Sequence, residues 1–293
     1  MAGAWAVVVH GGCKPIRPDE VEANRRGIAA AAEAAADRLR SGGSALDAVE
    51  AAVRAMEDDP IFNAGRGAVG NADGVVETDA SIMNGDTLDI GAVCALQKVA
   101  NPVSVARALL AEEEVLLAGE GARRFAAARG FELQEMPPRP TPAGGCDTVG
   151  CVALDSRGAI AVATSTGGLG GAPVGRIGDS PLPGCGFYAD SAVGGVSATG
   201  EGERIARTLL AARLIQALEA GAHPHDAVQA TLARLDRIGG EAGLIVLDAA
   251  GRIGWGFNAT QFAVGWMTAG DEAPQVEIAG LDAAGSGGGS RLS

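Results

Sequence analysis

The chain has 293 residues, and its 36 acidic and 23 basic side chains give it a formal net charge of −13. This acidic balance excludes a simple nucleic-acid binder, because phosphates must be neutralised by a basic surface. The length allows one large domain or two small ones, and 47% hydrophobic residues with 45 glycines indicate a buried core connected by many tight turns.

The first half of the chain predicts a strand, four helices and a hairpin. An apolar run at 4–9 ends in His10-Gly11-Gly12, which is typical of a strand entering a glycine turn. Asn84-Gly85 separates two further apolar segments, 75–83 and 88–99, and this dipeptide favours a hairpin. The predicted helices cover 18–39, 44–56, 103–112 and 119–129, and the stretch 61–74 is predicted to be loop.

The second half follows a proline- and glycine-rich stretch at 136–145, which is predicted to be exposed and mobile. It predicts a hairpin, a further strand, two helices, a three-stranded meander and a flexible tail. The hairpin covers 149–154 and 159–164, the further strand 188–199, and the two helices 200–219 and 225–238. The meander covers 243–247, 252–255 and 262–267, and the tail covers 285–290. Because each half offers hairpins and a helix pair, we expect two sheets sandwiched between helical layers.

Membrane and disulfide-rich classes are disfavoured. The run at 4–9 is too short to span a bilayer, and no basic residue precedes it as in a secretory signal. We therefore expect a cytoplasmic protein that does not bind membranes. The five cysteines form no C-x-x-C pair and are expected to be reduced and mostly buried.

Metal and dinucleotide sites are also disfavoured. His223 and His225 begin a predicted helix, where a capping or surface role is expected, and His10 is expected to be structural. The pattern Gly65-x-Gly67-x-x-Gly70 is followed by a turn, whereas a dinucleotide site needs a strand, the glycines and then a helix.

The junction between the halves reads Cys-Asp-Thr-Val-Gly-Cys at 146–151. If the bond between Asp147 and Thr148 were cut, Thr148 would gain an α-amine beside its own hydroxyl. Such an amine has a reference pKa of about 7.7–8.0, which suits a base that activates a hydroxyl. The hexapeptide by itself fits an ordinary threonine at a strand start better, and Cys146 or Cys151 is an alternative nucleophile.

Three later segments could complete such a site. Thr166 ends the strand that would pair with the one after Thr148. Arg176 and Asp179 lie three residues apart in a glycine loop; facing a pocket they would bind an amino acid's carboxylate and ammonium, and otherwise they form a local ion pair. Thr199-Gly200 lies where a strand gives way to a helix, which suits either an oxyanion hole or a plain N-cap.

Together these segments resemble the N-terminal-nucleophile asparaginases, the plant-type L-asparaginase/isoaspartyl aminopeptidase group. The resemblance covers nearly the whole chain. It is carried, in order, by His10–Gly12, 63–83, 147–150, 164–168, 175–181 and 199–203.

The resemblance implies an α+β fold, a four-layer αββα sandwich formed by one hydrolase domain, 1–293. The precursor would cleave itself into an alpha subunit, 1–147, and a beta subunit, 148–293. The resemblance implies that Thr148 is the nucleophile and base, that Thr166 orients its hydroxyl and that Asn63 supports the nucleophile. Arg176 would bind the substrate carboxylate and Asp179 its ammonium group. Thr199 and Gly200 would form the oxyanion hole, and Gly202 would line the substrate site.

The resemblance also implies the reaction and its partners. L-Aspartate would be released from asparagine or from β-aspartyl dipeptides, with no external cofactor. A structural sodium ion would bind backbone carbonyls near Met56, Phe62, Ala64 and Arg66, and the assembly would be a homodimer of cleaved αβ units. Two alternatives stay open: a glycosylasparaginase, which is similar around 178–181, and a non-catalytic amino-acid binding protein that retains Arg176 and Asp179.

Overall fold

A computed structural model describes residues 4–140 and 148–281. Its helices are α1 Val21–Arg40, α2 Ala45–Asp58, α3 Pro102–Leu109, α4 Gly119–Ala128, α5 Gly202–Thr208, α6 Leu210–Glu219 and α7 Pro224–Asp236, with a 3-10 turn at Gly65–Gly67. Its strands are β1 Ala6–His10, β2 Thr78–Asn84, β3 Ile90–Leu96, β4 Leu116–Ala118, β5 Val149–Leu154, β6 Ile160–Thr166, β7 Phe187–Asp190, β8 Gly194–Gly200, β9 Ala242–Asp248, β10 Ile253–Phe257, β11 Phe262–Thr268 and β12 Gln275–Ala279. No helix in these two ranges is long and apolar enough to cross a membrane.

Three apolar cores separate four layers, which confirms the αββα sandwich. One core lies between α1–α4 and an eight-stranded sheet, and a second lies between α5–α7 and a four-stranded sheet. The third lies between the two sheets, where residues such as Val8, Val152 and Phe187 meet. Each sheet is therefore covered on both faces, which explains the unbroken burial of central strands such as β1, β5 and β9.

The sheets do not follow the two halves of the chain. The larger sheet has the order β12-β11-β1-β5-β6-β2-β3-β4, so it contains strands from both halves, and β1 lies between two strands of the second half. The smaller sheet has the order β10-β9-β8-β7. The predicted meander at 243–267 was therefore wrong in its third strand, because β11 leaves β9 and β10 and pairs with β1 through His10 and Val264. Local apolar patterns cannot distinguish these partners.

Most predicted elements have a local cause that the structure confirms. Ser44 caps α2 by accepting from the Asp47 backbone N–H, and the Asp47 carboxylate accepts from the Ser44 N–H in return. The hairpin after Asn84 is present as β2 and β3. The helix predicted at 200–219 is broken: Leu209 has φ 51° and separates α5 from α6. A leucine in the left-handed region carries no sequence signal for a break.

The nucleophile candidate lies at the centre of the larger sheet. Thr148 directly precedes β5, which pairs with β1 on one side and β6 on the other. Strand β8 of the smaller sheet packs across β5 and β6. Several predicted features lie outside the described residues: Cys146, Asp147, the tail 285–290 and the 141–145 part of the predicted mobile stretch. The 136–140 part of that stretch is described, and its residues are half-buried to exposed.

Candidate active site

Thr148 lies in the buried space between the two sheets and is only 5% exposed. Its hydroxyl Oγ1 is 2.9 Å from the Ser180 hydroxyl Oγ. Its backbone N–H donates to the Thr199 hydroxyl at 3.3 Å. Both groups that would react in a terminal threonine are therefore held by side chains from the second half of the chain.

Thr166 lies opposite Thr148 in the sheet. Val149 pairs with Ser165, so the next position along each strand brings Thr148 and Thr166 side by side, and both line one pocket. The Thr166 hydroxyl accepts from the Gly168 N–H at 3.1 Å. Among the described residues, it is Ser180 rather than Thr166 that hydrogen-bonds the Thr148 hydroxyl.

Ser180 is a site residue that the sequence did not assign. Its carbonyl accepts from the hydroxyls of Ser81 at 2.9 Å and Thr164 at 2.8 Å, and those two hydroxyls are themselves 2.7 Å apart. Buried hydroxyls of two strands thus hold the Ser180 backbone and direct its side chain at Thr148. The motif that carries the family resemblance includes Ser180, but a serine after Asp179 has no chemical signal of its own.

Arg176 and Asp179 line the same pocket as Thr148, as the receptor interpretation requires. Asp179 is 3% exposed, and its Oδ2 has no hydrogen-bond partner among the described residues. Burial raises the pKa of Asp179 to about 7, since a carboxylate there loses its hydration. An entering ammonium group would supply the missing partner. Arg176 instead forms a two-point ion pair with Glu203, which the sequence did not indicate.

The end of β8 brings the remaining candidates together. Thr199 is fully buried and contacts the Thr148 nitrogen, while Gly200 lines the pocket with φ 143°. A Cβ at Gly200 would clash with the Glu241 carbonyl. At Gly202 a Cβ would lie 2.9 Å from Asp179 Oδ1 and 3.0 Å from Arg176 Nη2. Glycine at both positions therefore keeps the backbone close to the pocket.

Asn63 supports the loop after β6 and does not contact Thr148. Its side-chain amide donates to the Gly168 carbonyl at 2.8 Å, and its carbonyl oxygen Oδ1 accepts from the Val69 N–H at 3.0 Å. Its backbone carbonyl accepts from the Gly167 N–H at 2.7 Å. These bonds link the 63–69 loop to the strand end that carries Thr166.

His10 joins the two sheets directly behind the junction. Its Nε2 lies 2.8 Å from the Ser197 hydroxyl on β8, and the ring is fully buried. A Cβ at Gly150 would clash with both partners, which explains the glycine two residues after Thr148. Burial lowers the pKa of the His10 ring to about 3, so the ring is neutral at ordinary pH. The predicted structural role is confirmed.

The cysteine alternative is disfavoured for Cys151. Cys13, Cys94, Cys151 and Cys185 are reduced and buried, as expected. Cys151 packs in the core under the helices, and burial raises the pKa of its thiol well above the usual value. A thiol that resists ionisation is a poor nucleophile. Cys146 lies outside the described residues.

The capping role expected for His223 is confirmed. His223 caps α7 by accepting from the His225 N–H at 3.4 Å. Residues 65–67 form a 3-10 turn after a loop, and not the strand–glycine–helix order of a dinucleotide site. Over 4–140 and 148–281, no cluster of three or more histidine, cysteine or acidic residues could hold a metal ion.

A family model described as asparaginase matches residues 3–142 and 134–278. The chain belongs to the asparaginase family. This asparaginase-family chain is 42% identical over 288 residues to the human protein named isoaspartyl peptidase/L-asparaginase, covering 90% of this chain and 93% of the relative. The bovine protein of that name is 41% identical with the same coverage. The one from Xenopus laevis is 39% identical over 293 residues, with 93% and 94% covered. The resemblance found in the motifs is thereby confirmed.

Proposed function

We propose that this chain is an amidohydrolase that releases L-aspartate from L-asparagine and from β-aspartyl dipeptides. The observation that carries the proposal is the single pocket that holds Thr148 beside Arg176 and Asp179. A nucleophile candidate and a pair of charges that suits an α-amino acid thus line one narrow cleft. The names of its relatives, isoaspartyl peptidase/L-asparaginase, support both substrate classes.

The nucleophile would be created by self-cleavage between Asp147 and Thr148. The Thr148 hydroxyl would attack the Asp147 carbonyl, forming an ester as the peptide C–N bond breaks and the nitrogen takes up a proton. Water would then hydrolyse that ester to leave subunits 1–147 and 148–293. The freed α-amine is a base with a pKa near neutrality, which an amide nitrogen cannot be.

In the mature enzyme the same hydroxyl would attack the substrate's side-chain amide carbonyl. The Thr148 amine accepts the hydroxyl proton and returns it to the departing ammonia or amine. Thr199 and Gly200 donate to the developing oxyanion, and Thr166 and Ser180 orient the hydroxyl. Water then cleaves the β-aspartyl ester, which releases L-aspartate and restores Thr148.

Substrate selection would depend on the charges of Arg176 and Asp179. The guanidinium binds the α-carboxylate in a two-point manner, and the buried Asp179 carboxylate binds the α-ammonium. Because Gly202 has no side chain, space remains beside Arg176 and Asp179 for the substrate. A substrate lacking either group would lose its orientation toward Thr148.

Cleavage and turnover can be tested separately. We expect mass spectrometry of the wild-type protein to show two fragments that divide before Thr148, and the Thr148→Ala variant to stay intact and inactive. Ammonia release from asparagine, amine release from a β-aspartyl dipeptide and cleavage of a glycosylated asparagine distinguish this proposal from a glycosylasparaginase. An intact wild-type chain that binds aspartate without turnover would instead be an amino-acid binding protein.

We further propose a homodimer of cleaved αβ units in the cytoplasm that needs no external cofactor. We also propose that a structural sodium ion binds the loop at 56–66. The backbone bends so tightly there that a Cβ at Gly67 would meet the carbonyl oxygens of both Phe62 and Pro60, and carbonyl oxygens suit a hard cation. The carbonyls of Met56, Phe62, Ala64 and Arg66 would hold the ion and stiffen the loop that Asn63 joins to Gly168.

A further inference from the structure

Arg176 is bound along one edge by Glu203, the second residue of α5. Its Nε donates to Glu203 Oε1 and its Nη2 donates to Oε2, each at 2.8 Å. We propose that Glu203 is a positioning residue that holds the Arg176 guanidinium in the orientation needed to bind the substrate's α-carboxylate. This inference rests on the proposed function and assigns a role to a residue that contacts neither Thr148 nor the substrate's reacting carbonyl.

The contact leaves the other edge of the guanidinium for the substrate. A Cβ at Gly178 would lie 3.1 Å from Nη1 and 3.3 Å from Nη2 of Arg176, and a Cβ at Gly202 would lie 3.0 Å from Nη2. Two glycines therefore keep space open at the Nη1–Nη2 edge. A guanidinium has five N–H donors in a planar fork, so one carboxylate can bind each edge.

Without Glu203, Arg176 has a competing partner inside the pocket. The buried Asp179 carboxyl has an oxygen without a hydrogen-bond partner among the described residues, and Asp79, also buried, attracts Arg176 electrostatically. If Arg176 turned toward Asp179, the two groups that should bind the substrate would neutralise each other. Glu203 opposes this movement from the solvent side, because its own side chain is 53% exposed.

The loop around Arg176 has no regular secondary structure to restrain the side chain. Residues 171–177 are half-buried to exposed and have no helix or strand. A free arginine side chain samples many rotamers, and the Glu203 carboxylate on a helix removes much of that freedom before the substrate arrives. The ion pair also lowers the pKa of Glu203, so its carboxylate stays charged at neutral pH.

The first test is steady-state kinetics of the cleaved enzyme with L-asparagine. We expect Glu203→Ala to raise KM about tenfold while kcat changes less than about threefold. The substitution weakens the binding of the substrate's α-carboxylate and leaves the groups that react unchanged. Glu203→Gln keeps the size of the side chain and one acceptor, and should have an intermediate effect. As a matched control, Glu219→Gln removes an exposed carboxylate at the end of α6 and should leave both constants unchanged.

A double-mutant cycle identifies the route of the effect. If Glu203 acts through Arg176, Glu203→Ala should cause no further loss in an Arg176→Ala background. An equal loss in both backgrounds, an unchanged KM in the single variant, or a fall in kcat alone would overturn the proposal.

Two further readouts separate this proposal from the proposed function. Calorimetry with L-aspartate reports the same affinity change without turnover, so the role of Glu203 can be measured even if the enzyme prefers another amide. Mass spectrometry should show normal cleavage in all Glu203 variants, because Glu203 does not contact Thr148. Weakened aspartate binding in Glu203→Ala but not in Glu219→Gln supports the proposal, and equal affinities refute it.

Discussion

We expect the titration of one side chain, His10, to lower the free energy of unfolding between about pH 6.5 and about pH 4.5. The buried carboxyls of Glu57, Asp79 and Asp179, whose pKa values burial raises, act in the opposite direction over the same interval, so the contribution of His10 is measured as a difference between variants. The ring is fully buried and its Nε2 is hydrogen-bonded to Ser197. Burial lowers its pKa from the model-compound value of 6.5 to about 3. At His10 the unfolded chain therefore binds a proton in this interval that the folded chain does not, and the contribution of His10 to stability decreases as the pH falls.

The size of the effect follows from that difference in bound protons. One proton corresponds to about 1.4 kcal/mol per pH unit once the unfolded ring is fully charged. Between about pH 6.5 and about pH 4.5 the loss contributed by His10 should reach roughly 2–3 kcal/mol.

Urea unfolding of the Thr148→Ala chain at several pH values is the appropriate assay, since this variant should remain a single polypeptide. His10→Gln in the same background retains a hydrogen-bonding group for Ser197 but cannot titrate. It should be less stable overall, because Gln does not reproduce the ring's packing near Phe262. The slope of its stability against pH should nevertheless differ from that of the parent by about one proton's worth, in the direction of less destabilisation by acid.

His223→Asn is the matched control, because His223 is exposed at the start of α7 and asparagine is also a good N-cap. It should leave the slope unchanged. If the His10→Gln chain showed the same pH dependence as its parent, the ring would not be held neutral by burial, and the explanation would be wrong.

Two further substitutions probe the pocket itself. Ser180→Ala removes the 2.9 Å contact with the Thr148 hydroxyl and should lower kcat/KM roughly tenfold, the value of one hydrogen bond near 1.4 kcal/mol; unchanged kinetics would show that this contact is dispensable. Gly200→Ala places a Cβ against the Glu241 carbonyl at φ 143° and should lower the melting temperature and block both cleavage and turnover. Normal cleavage in that variant would contradict the fit inferred for the end of β8.

Local chemistry in the sequence was enough to predict much of the framework. The bounds of β5 were predicted as 149–154, because a run of apolar residues between turn signals is itself the feature that forms a strand. Ser44 and the Asn84-Gly85 turn likewise act on residues a few positions away. The ordered motifs also identified the family, since Thr148, Arg176 and Thr199 stand in recognisable neighbourhoods along the chain.

Contacts between distant segments were decided only by the tertiary structure. Strand β11 carries the same apolar pattern as its neighbours, yet it pairs with β1 from the opposite end of the chain. Ser180 meets Thr148 from 32 residues away, and Glu203 meets Arg176 from 27. The identity of a serine or a glutamate in the sequence does not specify which residue it will contact. Its partner depends on which surfaces the packed sheets and helices bring together.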